Sequence, residues 1–292
     1  MSKISMAFYL LAVKGYLKWI PDKTFLKIEY LLNTHKKLNL KNPKTYNEKL
    51  QWLKLYDRNP DYSAMVDKYD VKKYVSEKIG EQYIIPTLGV WDNFDDIDFD
   101  MLPNRFVLKC THDSGSIVKC NDKANFDIDG ARRRINIHMK VNYYDAHREW
   151  PYKNIKPRII AEPYIEDTET KELIDYKLFS INGKVKIISV VTDRYSKTET
   201  CMDYFDENFI HLPFAWIYPN AKRTPKKPEG IEEMKMLAEK LSSGIPQVRV
   251  DFYVVDGKIL FGEMTFFNGG GNSPFEQEEW NEKLGEMLKL NM

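Results

Sequence analysis

The stretch VRVDFYVVDGKILFGEMTF, residues 248–266, decides how this chain is read. Two apolar β-type runs, 248–255 and 258–266, flank an Asp256-Gly257 pair, which is a hairpin signal. Each run carries one carboxylate among apolar neighbours, Asp251 and Glu263. A carboxylate so placed costs free energy unless it is paired or binds a cation. Two together suit Mg2+, which favours carboxylate and phosphate oxygens. Register decides whether they meet. A two-residue loop sets Asp251 opposite Gly262, and Glu263 then points to the other face. A three-residue loop, Val255 to Gly257 with Gly257 left-handed, sets Arg249 opposite Glu263, so that Arg249, Asp251 and Glu263 share one face. The second register is the expected one. The plain alternative is an Arg249–Glu263 surface ion pair with Asp251 solvated.

Upstream lie further clusters of polar residues. In FVLKCTHDSGS (106–116), Lys109 ends an apolar strand, and the small-residue loop Ser114-Gly115-Ser116 follows. Free backbone N–H groups and hydroxyls of such a loop can wrap phosphate oxygens, and a lysine at its root can neutralise them. GxxxxGK[ST] is absent, so this is not a Walker A loop. An ordinary turn beside a solvated lysine is the competing account. In IIAEPYIE (159–166), Glu162 ends a hydrophobic run, and the irregular chain beyond it could read an adenine edge. Lys177, in Asp175-Tyr-Lys177, could reach a phosphate; a simple strand end competes with this.

The bulk composition sets limits. The chain has 292 residues, 43% hydrophobic and 30% charged, enough for one large unit or two lobes sharing a cleft. Lys and Arg number 44 against 43 Asp and Glu. The basic excess usual for duplex-DNA binding is missing, and no nucleic-acid partner is expected. Three cysteines, Cys110, Cys120 and Cys201, make neither a disulfide framework nor a CxxC metal pair, and read as reduced thiols in a cytoplasmic protein. The apolar run Met6–Val13 is too short to span a bilayer. It reads as a helix packed on the body, or as a shallow helix at the inner face of a membrane. In that second case residues 5–20 make peripheral contact, with Phe8, Tyr9, Tyr16 and Trp19 at the interface.

Residues 1–100 read as mainly helical. Thr45 and Glu48 have capping-box spacing, with Leu50, Leu53 and Tyr56 along one face. A second helix is expected over 64–79, stopped by Gly80. Beyond residue 100, β-type runs appear at 106–110, 117–120, 158–165, 176–181, 184–192, 248–255 and 258–266, with Asn182-Gly183 as a second hairpin turn. Helices are expected over 131–140, 231–241 and 276–290. The mixture argues for an α+β fold with mostly antiparallel strands.

These pieces together resemble the ATP-grasp superfamily, and within it the TupA-like, teichuronopeptide-biosynthesis branch associated with bacterial surface polysaccharides. The carrying stretches are NPKTYNEKLQWLKLYDR, DKYDVKKYV, LPNRFVLKCTHDSGS, PRIIAEPYIED, DYKLFSINGK and VRVDFYVVDGKILFGEMTF. Their order from about residue 42 to 275 is more specific than any one of them. The resemblance implies a two-lobe fold with a shortened helical N-terminal region at 1–100, a small lobe at 101–160 and a large lobe at 161–292. It implies ATP and Mg2+ as cofactors. Lys68 and Lys109 become nucleotide lysines, and His112, Ser114, Gly115 and Ser116 a loop over the phosphates. Glu162, Pro163, Tyr164 and Ile165 become the adenine hinge, with Glu166 or Asp167 near the ribose. Asp175 becomes a phosphate or substrate contact. Asp251 and Glu263 become metal ligands, and Arg249 and Lys177 catalytic groups. Thr265 stands where an asparagine ligand is usual, and Asn268 or water would substitute.

The implied activity is ligation: a carboxylate attacks the γ-phosphate of ATP, and an amine displaces phosphate from the acyl phosphate. The substrate would be a small molecule or polysaccharide. A sugar or polyol kinase, a glycosyltransferase and a nucleotide-binding module without turnover are the alternatives. Three further stretches are noted. Residues 138–156, rich in Tyr, Trp and His, could stack sugar rings or form an amphipathic helix and loop. The basic segment 219–230 reads as a solvated connector, with contact to an anionic polymer or membrane as the other account. Gly269 to Ser273 could approach an acceptor or phosphate, or form a plain turn.

Overall fold

The computed structural model describes residues 2–169, 173–192 and 200–291. Helices come first. Ser2 caps α1 (Lys3–Val13), its hydroxyl accepting from the Ser5 N–H at 3.1 Å. α2 (Asp22–Thr34) follows and packs on α1 through Phe25 and Phe8, whose rings lie 5.0 Å apart. The other side of α1 is open, with Ile4, Leu10 and Leu11 exposed, as are Tyr16 and Trp19 beyond it. No helix among the described residues is long and apolar enough to cross a membrane.

α3 (Tyr46–Tyr56) starts on the expected capping box of Thr45 and Glu48. Leu50 and Leu53 are buried as expected; Tyr56 is exposed and leans on Trp52 instead of joining the core. The single helix expected over 64–79 is two, α4 (Tyr62–Val66) and α5 (Val71–Ile79). Asp67 breaks it with an extended ψ of 125°. The Asp67 carboxylate accepts from the Tyr69 and Asp70 N–H groups at 2.9 Å, a local alternative to the helical ladder that restarts the helix. The Lys68 N–H turns aside to Thr111 O at 3.0 Å. Gly80 ends α5 at a φ of 109°, as expected.

One sheet contains β1 (Gly89–Trp91), β2 (Phe106–Cys110), β3 (Val118–Cys120) and β4 (Ile159–Pro163), in the antiparallel order β1-β4-β2-β3. α6 (Ile128–Met139) covers it, burying Ala131 and Ile135 with Phe106, Leu108 and Ala161. The short α7 (Tyr143–His147) comes next. The second sheet contains β5 (Asp175–Ile181), β6 (Lys184–Thr192), β7 (Cys201–Asp206), β8 (Gln247–Val255) and β9 (Lys258–Thr265), in the antiparallel order β7-β6-β5-β8-β9. α8 (Ile231–Leu241) packs against β5, β6 and β8, and α9 (Glu278–Met287) packs on α3. The architecture is the expected α+β one; β1, β7 and α2 are additions to the elements read from the sequence, and α7 falls in the stretch 138–156, where a helix and loop was one of the two accounts.

The β8–β9 hairpin follows neither expected register. Val255 pairs with Lys258, so the turn has two residues, Asp256 and Gly257, at φ 50° and 74°. Such a turn matches the strand twist. Regular pairing continues to Phe252 and Phe261; then a bulge takes up Gly262, and Asp251 lies opposite Glu263. A Cβ at Gly262 would stand 3.1 Å from both Asp251 O and the Tyr253 ring, so glycine suits the bulge. The three-residue loop was the wrong means, but the bulge brings Arg249, Asp251 and Glu263 together as expected.

Candidate active site

A row of charged side chains crosses the second sheet. Lys177 on β5 lies opposite Asp251 on β8, which lies opposite Glu263 on β9. Lys177 Nζ donates to Asp251 Oδ2 at 2.5 Å and pairs with Asp175 at 2.7 Å. Arg249 grips Asp251 in a fork, Nε to Oδ1 at 2.6 Å and Nη2 to Oδ2 at 2.8 Å, and reaches Glu263 at 2.8 Å. Burial works against the charge of Asp251, but Arg249 and Lys177 outweigh it and hold the carboxyl below its usual range. Burial likewise opposes the Arg249 charge, and Asp251 and Glu263 overcome it. Thr265 bonds Arg249 at 3.0 Å, and Asn268 Oδ1 accepts from Arg249 Nη1.

Among the described residues no three His, Cys, Asp or Glu side chains gather as a metal cluster. The donor chemistry nevertheless fits Mg2+ bound with a nucleotide, since that ion commonly uses one or two carboxylates and takes its other oxygens from phosphates and water. Asp251 and Glu263 would hold it, both lining the same cleft.

Opposite stands the first sheet. Lys109 on β2 and Lys72 on α5 each meet the Glu162 carboxylate at 2.6 Å, one on each oxygen. Burial raises the Glu162 pKa, but the two amines override it and lower the net value. Lys72 was not anticipated. It lies four residues beyond Lys68 in DKYDVKKYV, but on the helix that restarts at Val71, so no local signal singled it out. The Lys68 amine itself donates to Asp113 O.

The loop after β2 is braced from within. The Ser116 hydroxyl donates to Asp113 at 2.7 Å and accepts from the Cys110 N–H at 2.8 Å, and Asp113 meets His138 at 2.5 Å. Ser114 and Gly115, the latter at φ 99°, stay exposed. His112 is buried, with Nε2 at 3.1 Å from Val141 O; burial lowers its pKa. Thus Ser114, Gly115 and Ser116 line the cleft, while the His112 ring packs toward the α6–α7 connection.

The cleft has two communicating parts. One, of about 180 Å³, is lined by Lys68, Lys72, Lys109, Asp175, Asp251 and Glu263. The other, of about 130 Å³, is lined by Pro163, Tyr164, Ile165 and Glu166. Ile85, Glu162 and Tyr253 border both. The first is charged and suits phosphates; the second is flatter and more apolar, with Arg105 over the Tyr164 ring at 4.2 Å. Lys177 and Arg249 stand behind Asp251 and fix it.

A model of the family described as TupA-like ATPgrasp matches residues 48–289. The chain is also similar in structure to the D-alanine–D-alanine ligase from Bacillus anthracis complexed with ATP, at 18% identity and a TM-score of 0.40, covering 70% of this chain and 55% of that one. It is similar to the L-amino acid ligase from Bacillus licheniformis, at 12% identity and a TM-score of 0.45, covering 87% and 55%. A third is the ATP-grasp ligase PsnB complexed with a phosphomimetic variant of its minimal precursor, Mg and ADP, at 11% identity and a TM-score of 0.46, covering 94% and 72%. The chain spans little more than half the length of the first ligases it matches. No curated protein gives a match.

Proposed function

The chain belongs to the TupA-like ATP-grasp family, and from that premise we propose that it is an Mg·ATP-dependent ligase joining a carboxylate to an amine. One observation carries the reading: two carboxylates from adjacent strands and three lysines from across the cleft, Lys68, Lys72 and Lys109, line one cavity. A triphosphate needs that pairing, with amines to neutralise its oxygens and carboxylates to hold its cation.

The substrate carboxylate attacks the γ-phosphorus, the bond to the β-γ bridging oxygen breaks, and ADP leaves. The amine then attacks the acyl carbon. Its C–N bond forms as the C–O bond to phosphate breaks, phosphate leaves with the electron pair, and the amine loses a proton. Bound Mg2+ would neutralise phosphate charge. Lys109, Lys72 and Lys68 orient the triphosphate, the Ser114–Ser116 backbone covers it, and residues 163–165 border the base. Arg249 and Lys177 fix Asp251 and supply positive charge to the transferring group. A preorganised donor of this kind contributes about 2.7–4 kcal/mol to lowering a barrier. The proposed substrates are an amino acid and a sugar or uronic acid of a bacterial surface polysaccharide.

Hydroxylamine trapping tests the reaction class. With Mg·ATP and a carboxylate substrate, an acyl phosphate yields a hydroxamate and ADP. A phosphorylated sugar without hydroxamate points to a kinase and overturns the reading, as does transfer from a nucleotide sugar.

We also propose that the open side of α1 and the turn after it rest on an anionic bilayer. Ile4, Leu10, Leu11, Tyr16 and Trp19 offer apolar and aromatic surface, and exposed Lys3 and Lys14 offer matching charge.

A further inference from the structure

The glycine turn at 268–271 follows β9, and its first residue touches the site. Asn268 Oδ1 accepts from Arg249 Nη1, so the one side-chain oxygen it could offer a metal is already committed. Gly269, Gly270 and Gly271 have φ of 58°, 63° and 63°, a left-handed backbone that glycine adopts without strain.

α3 holds this turn from behind. Gln51 and Lys54, three apart, share one face of that helix. Gln51 Nε2 reaches Gly270 O at 3.0 Å, Gly271 O at 2.9 Å and Asn272 Oδ1 at 3.1 Å. Lys54 Nζ donates to Gly270 O at 2.6 Å and to His147 O at 2.8 Å. The fit is close. A Cβ on Gly271 would stand 2.6 Å from Gln51 Nε2, and one on Gly270 3.1 Å from the His147 ring. Glu29 pins that ring at 2.5 Å.

Gln51 and Lys54 are both 0% exposed. A buried ammonium loses its hydration, and this one forms no ion pair among the described residues. Packing alone would be served by an apolar side chain of similar length. What the lysine adds is a grip on carbonyls of two separate segments.

Neither residue lines the cleft, and their reach into it runs through the turn. Asn268 holds the Arg249 guanidinium at Nη1. The same group sets Nη2 on Glu263 at 2.8 Å and forks onto Asp251 through Nε and Nη2. A guanidinium is planar and rigid, so anchoring one corner fixes the direction of the others. We propose that Gln51 and Lys54 are positioning residues for the metal-binding carboxylates: by locking the glycine turn they fix Asn268, and through it the Arg249 fork that spaces Asp251 from Glu263. The inference rests on the Mg·ATP reading of the cleft.

The test is the Mg2+ requirement for binding a fluorescent ADP analogue to the full chain, measured beside binding in EDTA. Lys54→Met and Gln51→Met each raise the half-saturating Mg2+ about tenfold and leave metal-free affinity unchanged. Lys54→Met combined with Asn268→Leu shifts it no further than Asn268→Leu alone, because both act along one path. Gln51→Met keeps the test open if Lys54→Met does not fold. A lower thermal midpoint with the wild-type Mg2+ requirement is the outcome of a purely structural clamp and overturns the inference, as do additive shifts in the double variant. A wild type that binds the analogue equally with and without Mg2+ removes the metal reading of the cleft, and the inference with it.

Discussion

Asp251 faces Glu263 across the β8–β9 ladder because Gly262 is bulged out beside them. The two carboxylates nonetheless sit in different settings. Asp251 is 1% exposed and gripped by Arg249 and Lys177; the Glu263 side chain is 45% exposed. Asp251→Asn leaves two buried cations short of a counter-charge and should cost about 3–5 kcal/mol in urea unfolding. Glu263→Gln should cost under about 1 kcal/mol. It should instead lower Mg-dependent ADP release about a hundredfold, the scale of losing one preorganised electrostatic contact. Equal stability losses would contradict this division.

Glu162 separates two amines. In Glu162→Gln, Lys72 and Lys109 face each other without a carboxylate between them. The thermal midpoint without nucleotide should fall. Added ADP should then raise it by more than in the wild type, because phosphate oxygens supply the missing charge. An equal or smaller ADP shift refutes the placement of phosphates beside these lysines.

His147 gives a pH signature. Burial disfavours its charge, but Glu29 outweighs burial and raises the ring's pKa. The folded state thus prefers the protonated ring. Its contribution to stability is complete below about 6.5 and is lost as pH rises through the raised value. The wild-type thermal midpoint should therefore fall relative to His147→Gln as pH rises above about 6.5. Parallel curves would show that the pair adds no pH-dependent stability.

The bilayer proposal is checked by cosedimentation. Vesicles containing phosphatidylglycerol should carry the wild type down, and zwitterionic vesicles should carry less. The double change Leu10→Asp and Leu11→Asp should abolish the effect without shifting the thermal midpoint, since both side chains are already exposed. Failure of the wild type to sediment with anionic vesicles ends the proposal.

Much of the second sheet could be read from sequence because its signals are local. Asn182-Gly183 and Asp256-Gly257 announce their turns, and Lys184–Thr192 is rich in β-branched residues. The bulge could not be read that way. It depends on how Gly262 packs against Asp251 and Tyr253, which no alternation pattern records. Lys72 escaped for a related reason: its partner, Glu162, lies 90 residues on, and only the fold brings them together. Ser116 has the right residue type for a phosphate loop, yet its hydroxyl is committed to the loop's own bracing. Glu29 and His147, 118 residues apart, were invisible as a pair.

The interruption between α4 and α5 has a mechanical consequence. The Lys68 N–H is fastened to Thr111 O, the Lys68 amine to Asp113 O, and Arg158 clasps both Asp67 and Asp70. These ties rivet the start of α5 to the loop it faces. Lys72 is thereby tethered, through the start of its helix, to the loop after β2 and to the residue that precedes β4. On the proposed function, α5 and the loop after β2 are therefore expected to close on a nucleotide as one piece.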